Sequence, residues 1–168
     1  MRNSFIAAAA VFMLMACGIL APIVRAAETF DWSGEFVALD EATRSVTVKA
    51  RLLDETAVAD VKQLKPGDRV LLVWSGMTFS DAIRRVVPLT AQAKADGELL
   101  SSVEVVSSDA ASHYLTFRAR VPVDGVLALK PLKAGEWVTA TSLRASRDVA
   151  AIVSIRPYSA VRSVTSSN

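Results

Sequence analysis

The sequence predicts a mostly β protein, built as two tandem five-stranded small barrels that follow an N-terminal signal segment. Three observations support this fold class. An apolar run begins the chain, a repeat recurs with an offset of about 69 residues, and short segments alternate apolar with polar residues. At 168 residues the chain has room for one ordinary domain or two very small ones.

The N terminus has the parts of a secretory signal peptide. Arg2 gives a positively charged start, residues 5–24 form a nearly unbroken apolar run, and small residues follow it. Cleavage after Ala26 places Val24 and Ala26 at the two positions that require small residues. We therefore predict that residues 1–26 are a signal peptide and that the mature protein is periplasmic.

Two alternatives stay open for this segment. The run is about long enough to span a bilayer, for which ~20 apolar residues suffice, although Pro22 near its end argues against an uncleaved anchor. The residues around Cys17 look like the lipobox of bacterial lipoproteins, although Met15 is unusual there and the following residues stay apolar. A membrane partner is expected only if Cys17 is lipidated, which would anchor the protein to the envelope, or if the signal is uncleaved.

The predicted mature part has no net charge and no cysteine. Loss of Arg2 and Arg25 leaves 17 of the 19 basic residues, which balance 17 acidic ones. A neutral protein lacks the strong positive field of a dedicated nucleic-acid binder. Without cysteine it has neither disulfides nor thiolate zinc sites. We expect no nucleic-acid partner and no cofactor, and we expect stability to come from burial.

A repeat divides the mature part into two units. Residues 35–51 match residues 104–120 at seven of seventeen positions, where chance gives about one. The similarity resumes between residues 64–70 and 132–138, and a third block follows in each copy. Three blocks in the same order indicate a tandem duplication. The predicted organisation is a first unit at 28–89, a linker at 90–98, a second unit at 99–158 and a disordered tail at 159–168.

Strict alternation predicts the principal strand of each unit. One face of residues 44–52 and of residues 113–121 is apolar and the other polar, which is typical of a half-buried strand. The predicted inward residues are Val46, Val48, Ala50 and Leu52 in the first copy and Leu115, Phe117, Ala119 and Val121 in the second. The other predicted strands are 34–39, 69–74 and 82–87 with their copies 103–107, 137–143 and 150–155, and a short fifth element lies near 58–61 and 126–129.

The first unit carries a motif that resembles a known class of domain. Its pattern is Gly-x-x-Val-x-x-Asp, then Val-Thr-Val, then Leu-Lys-Pro-Gly-Asp-x-Val, at Gly34, Val37, Asp40 and residues 46–48 and 64–70. This pattern resembles small exported bacterial OB-like domains, which include periplasmic copper- and silver-binding efflux chaperones and exported domains of unknown function. The resemblance implies OB-like barrels. In the metal-binding members, a His, methionines and a Trp converge on one barrel face.

A copper-binding module is therefore the alternative functional hypothesis. The residues of the matching types are Trp74, Met77 and His113, and the predicted mature chain has one His and one Met. A soft Cu(I) site requires several thioether or imidazole ligands close together. A Trp beside a Met is more often part of a hydrophobic core.

The inventory of reactive residues argues against an enzyme. A nucleophilic triad would depend on His113, which falls at a predicted turn, and Asp40 and Asp109 lie in separate units rather than as a close carboxylate pair.

The most specific surface feature is a basic stripe on the outward face of the principal strands. Its members are Thr47, Lys49, Arg51, Thr116, Arg118 and Arg120.

This basic stripe predicts a binding role. We expect a non-catalytic periplasmic accessory protein of the envelope that binds a partner through a β-barrel face. The partner is an envelope protein or an anionic polysaccharide or lipid surface. The alternative interpretation is an ordinary solvated strand face whose charges are neutralised by acidic neighbours.

Overall fold

The computed structural model describes residues 29–76, 79–89, 99–143 and 152–158. Several predictions therefore lie outside the described residues. These are the signal segment 1–26, Cys17, Met77, the linker 90–98 and the tail 159–168.

In the described ranges the chain forms nine strands and two short helices. In chain order they are β1 (Thr29–Asp40), β2 (Ser45–Leu52), α1 (Glu55–Val61), β3 (Arg69–Trp74), β4 (Phe79–Ser80), β5 (Ala82–Pro88), β6 (Leu99–Asp109), β7 (Tyr114–Arg120), α2 (Val123–Leu129), β8 (Trp137–Leu143) and β9 (Ile152–Pro157).

Five strands close into a barrel. β5, β3, β6, β7 and β2 pair in that order, and β2 pairs back with β5 to complete the circuit. β1, β8 and β9 continue the sheet from β2, and β4 pairs with β1. The mostly β class and the presence of a barrel are confirmed. The expectation that each unit closes its own barrel is wrong, because the closed barrel takes three strands from the first predicted unit and two from the second.

The strands pair across the boundary between the predicted units. β1 pairs with β8, β3 with β6, and β2 with β7, all antiparallel. The β2–β7 register places Val48 opposite Phe117, its aligned residue in the repeat. A unit of about 60 residues buries only about 60% of its surface when it folds alone. Exchange of strands between the units buries apolar surface that neither unit covers by itself.

The centre of the core is a cluster of three aromatic side chains. Trp32 and Trp74 stack with ring centroids 4.8 Å apart, and Phe117 lies 5.7 Å and 6.3 Å from them. All three side chains are buried. The predicted inward faces of β2 and β7 are also buried throughout, which confirms the alternation.

Two indole hydrogen bonds join the halves of the repeat. Trp32 Nε1 donates to Ser142 Oγ at 2.9 Å, and Trp74 Nε1 donates to Ser101 Oγ at 3.2 Å. In the alignment of the repeat, Trp32 corresponds to Ser101 and Trp74 to Ser142. The two bonds therefore join aligned positions, with donor and acceptor exchanged between the two aligned segments.

The short elements near 58–61 and 126–129 are helices, which corrects the expectation that they are strands. The Asp54 side chain caps α1 by accepting from the N–H groups of Thr56 and Ala57 at 2.9 Å and 3.1 Å. A four-residue segment is too short to distinguish a strand from a buried helical turn by its period. α1 packs on β5 and α2 on β9. Neither helix of the described residues is long and apolar enough to cross a bilayer.

The two hairpin turns share their geometry. Asp40 Oδ1 accepts from the N–H groups of Ala42 and Thr43, and Asp109 Oδ1 accepts from those of Ala111 and Ser112, all at 3.0–3.1 Å. Each turn ends in a left-handed residue, Arg44 with φ of 52° and His113 with φ of 61°. Asp40 and Asp109 are therefore turn residues that hold the two hairpins through the same hydrogen bonds.

The turn at each of two glycines donates a hydrogen bond to a strand of the other predicted unit. The Gly67 N–H donates to the Val105 carbonyl at 2.8 Å, and the Gly135 N–H donates to the Phe36 carbonyl at 2.9 Å. Both glycines have φ near 94°, a conformation that disfavours other residues. At these contacts β1 and β6 carry irregularities, between Phe36 and Ala38 and between Val105 and Ser107. The same combination of a glycine N–H hydrogen bond and a strand irregularity therefore occurs at aligned positions of β1 and β6.

Removal of the Ser101 hydroxyl tests the indole bonds. Ser101→Ala leaves the buried Trp74 N–H without an acceptor, so we expect the free energy of unfolding to fall by about 1–3 kcal/mol. Ser102→Ala is the matched control, because the neighbouring Ser102 hydroxyl is buried without a hydrogen-bond partner among the described residues. It should be neutral or stabilising. Denaturant unfolding measures both variants, and equal losses would contradict the assignment.

The turn aspartates give the protein a predictable response to acid. Hydrogen bonds from the Thr43 side chain and N–H lower the pKa of Asp40 below its ordinary 3.8, and those from Ser112 lower the pKa of Asp109 in the same way. The charged carboxylates therefore stabilise the fold above pH 3.8, and this stabilisation is lost as pH falls through the lowered pKa values.

The double variant Asp40→Asn/Asp109→Asn retains turn acceptors but no longer titrates. We expect its unfolding free energy to fall less on acidification than that of the unsubstituted protein. Carboxyl NMR titration should place both aspartate pKa values below 3.8. Values at or above 3.8 would contradict the lowered pKa.

Candidate anion-binding groove

Pairing of β2 with β7 brings the two halves of the predicted basic stripe together. Thr47 lies opposite Arg118, and Lys49 lies opposite Thr116. Arg51 and Arg120 end the two rows, opposite Tyr114 and Ser45. Directly paired residues share a face of the sheet. We call this surface the outer face, defined by Ser45, Thr47, Lys49, Arg51, Tyr114, Thr116, Arg118 and Arg120.

Acidic neighbours neutralise part of the outer face. Lys49 Nζ lies 3.7 Å from Glu35 Oε2 and 4.4 Å from the centre of the Tyr114 ring. Arg51 lies 3.7 Å from an Asp81 oxygen. Both pairs are partly or fully open to solvent and contribute little to stability, but they reduce the attraction of this half of the face for an anion.

A groove of about 430 Å³ lies at the other end of the outer face. Three arginines line it, from β3 and β7. We call it the arginine groove, and its lining residues are Asp40, Thr43, Ser45, Arg69, Glu104, Arg118, Ala119 and Arg120.

The groove holds more positive than negative charge. Arg118 Nη1 donates to Glu104 Oε1 at 3.2 Å. Arg69 lies opposite Glu104 in the β3–β6 register, yet among the described residues no ion pair within 4.0 Å involves Arg69 or Arg120. Asp40 supplies the second carboxylate, which accepts the N–H groups of its own turn. Two guanidinium groups therefore remain available to a ligand.

The corresponding position in the other half of the repeat is filled by aromatic residues. Tyr114 aligns with Ser45, and Trp137 aligns with Arg69. Tyr114 lies beneath the Lys49 ammonium, the counterpart of Arg118. The groove therefore depends on a small residue at position 45 and a cation at position 69, both of which are found in one copy alone.

Sequence reasoning missed Arg69 and Ser45. Locally, Arg69 is only the first residue of a predicted strand, and nothing in the nearby sequence places it on the same side of the barrel as Arg118 of β7. The alignment of the repeat contains a signal that could have found it, because Arg69 is aligned with Trp137, a residue of very different chemistry. Once β3 pairs with β6, Glu104 separates Arg69 from Arg118 across the sheet.

The residues of the copper hypothesis are not brought together where the structure describes them. Trp74 is buried, and its N–H is bonded to Ser101. His113 is half-buried at the end of its turn, with Nε2 3.6 Å from Glu55 Oε1. Met77 lies outside the described residues. Within the described ranges no three His, Cys, Asp or Glu side chains are grouped so that they could hold a metal ion.

The arginine groove has the chemistry of an anion-binding site. Guanidinium groups present paired N–H donors that match the oxygens of carboxylate, phosphate and sulfate groups. An open groove also admits an anion that belongs to a larger molecule. No protein-family model, curated protein or solved structure matches the chain, so the proposed function depends on the chemistry of its own residues.

Proposed function

We propose that this protein is a non-catalytic accessory protein of the bacterial envelope, which binds an anionic group of its partner in the arginine groove. The observation that carries the proposal is the presence of Arg69 and Arg120, which have no described ion pair, beside the half-neutralised Arg118. A carboxylate, phosphate or sulfate that enters the groove gains donors without breaking an internal ion pair at either residue.

The envelope location is supported by the first 26 residues. A basic start, an apolar run and small exit residues favour export and cleavage. Lipidation at Cys17 would hold the same protein at the membrane surface. The resemblance of the Gly34–Val70 motifs to exported OB-like domains supports the same compartment.

A tandem duplication is the proposed origin of the fold. It is supported by the seven identities between residues 35–51 and 104–120. Strand registers, turn aspartates and glycine turns also correspond between the copies. On this proposal the two units were initially identical, and the arginine groove arose when their sequences later diverged.

We expect the partner to present a localised anionic group that is recognised at short range. The predicted mature protein is neutral overall, so it lacks a strong long-range field that would draw in a polyanion. Recognition then depends on short contacts in the groove. The sources that supply such anions in the envelope are acidic polysaccharides, lipid phosphates and acidic protein surfaces.

Reversal of one groove charge tests the proposal. We expect Arg120→Glu to weaken binding to an anionic probe roughly five- to tenfold, as expected for the loss of about 1 kcal/mol of charge-assisted bonding. Arg156→Glu makes the same change of charge on β9, outside the groove, and should leave binding nearly unchanged. The probes are polygalacturonate, heparin and vesicles with and without phosphatidylglycerol, compared by calorimetry or co-sedimentation.

The pattern among these probes identifies the source of the anion. Binding to the polysaccharides alone indicates a glycan, and binding to the phosphatidylglycerol vesicles alone indicates a lipid headgroup. If no probe binds, pull-down from envelope extracts with the unsubstituted protein and Arg120→Glu tests an acidic protein partner. Equal binding by Arg120→Glu and Arg156→Glu would contradict the groove, because net charge alone would then account for the affinity.

A further inference from the structure

A second groove, of about 340 Å³, lies at the opposite end of the outer face. Trp137 belongs to this end because it pairs with Glu35, which in turn pairs with Lys49 of β2. We call it the aromatic groove, and its lining residues are Ser33, Phe79, Asp81, Trp137 and Tyr158.

Three aromatic rings converge here while remaining open to solvent. Trp137 is 43% exposed, Phe79 46% and Tyr158 47%. The Trp137 and Tyr158 rings lie 6.5 Å apart at an angle of 62°, and the Tyr158 N–H donates to the Trp137 carbonyl at 2.8 Å. Packing of the two rings in this arrangement leaves a preformed aromatic surface. Clustered exposed apolar groups of this kind mark binding sites.

Polar atoms lie among these rings. Ser33 is only 2% exposed, lines the groove, and makes no side-chain hydrogen bond to any described residue. Asp81 is exposed, and one of its carboxylate oxygens is 3.7 Å from Arg51 Nη2, which leaves its remaining lone pairs open to a ligand. A hydroxyl without a described partner and a carboxylate in one groove favour a ligand that brings its own hydroxyl groups.

We propose that the aromatic groove binds a neutral sugar ring of an envelope glycan. One face of a pyranose is a surface of C–H groups, which packs on an aromatic ring, and its rim carries hydroxyl groups. These hydroxyls donate to Asp81 and exchange hydrogen bonds with Ser33. A wholly apolar ligand would bury both polar groups without bonds, which is unfavourable. Aromatic walls with a few placed polar groups are the usual composition of a small-molecule site.

This site is separate from the arginine groove. Among the described residues the two grooves share no lining residue, and Trp137 and Arg69 lie on β8 and β3, which do not pair with each other. Trp137 occupies the position that Arg69 holds in the other half of the repeat. An uncharged probe therefore tests the aromatic groove alone, and its result does not depend on whether an anion binds at Arg69 and Arg120.

The three tryptophans of the chain provide the readout. Trp32 and Trp74 are buried with bonded N–H groups, whereas Trp137 is exposed in the groove. In the 15N-labelled protein, we expect titration with maltohexaose, cellohexaose or the hexamer of N-acetylglucosamine to shift the Trp137 indole signal saturably. The Trp32 and Trp74 signals should stay in place and serve as internal controls.

Trp137→Arg is the principal variant, because the fold already accommodates arginine at the aligned position 69. We expect it to weaken binding of the responding oligosaccharide by about tenfold or more, measured by calorimetry. Unchanged Trp32 and Trp74 signals establish that the variant is folded. Leu127→Arg, on an exposed site of α2 outside the groove, makes the same change of charge and should leave binding unchanged.

Asp81→Asn is a second variant, which keeps the aromatic surface intact and should weaken binding several-fold. Because it retains Trp137, its indole signal still reports binding, and it tests the proposal even if Trp137→Arg fails to fold. The proposal is overturned if none of the three oligosaccharides shifts the Trp137 signal, or if Trp137→Arg and Asp81→Asn both bind like the unsubstituted protein. Loss of binding in Leu127→Arg would also overturn it.

Discussion

The pairing of β2 with β7 is the contact on which the rest of the structure depends. Both strands alternate strictly, so their apolar faces enter the core together while their polar faces form one surface. The register places Val48 opposite Phe117, and aligned residues therefore meet around a local two-fold arrangement. A slip of one residue would exchange the two faces. The core and the basic face are consequently fixed by the same pairing.

The sequence was sufficient for those features that local chemistry decides. Alternation predicts β2 and β7 to within a residue at each end, and the turns at Gly67 and Gly135 predict the strands β3 and β8 that follow them. Local chemistry also decides the Asp and Gly turns, because their side chains and φ angles act within a few residues. The helices are not predicted, because residues 58–61 are too few to show a helical period and the Asp54 cap lies outside that segment. The closure of the barrel was missed because strand exchange is decided by contacts between residues far apart in sequence.

The residues of the candidate sites also divide into those that local sequence predicts and those that depend on contacts between distant parts of the chain. Every member of the predicted stripe lies on the outer face, since period two alone decides which side a residue takes. Arg69 was not predicted, because its neighbours Arg118 and Glu104 reach it only through the β3–β6 pairing. Neutralisation of Lys49 and Arg51 likewise depends on Glu35, which lies on β1, and on Asp81, which lies between β4 and β5. Charge patterns along one strand therefore predict a face, but not the net charge that a ligand meets there.

The differences between aligned positions carry the most functional information. Where both copies share a residue, as at Asp40 and Asp109, the structure gives it a turn role that any hairpin requires. Where they differ, the result is a groove: Arg69 and Ser45 line a basic one, and Trp137 lines an aromatic one. On the proposed function, these unlike side chains at aligned positions give the protein two chemically different binding grooves.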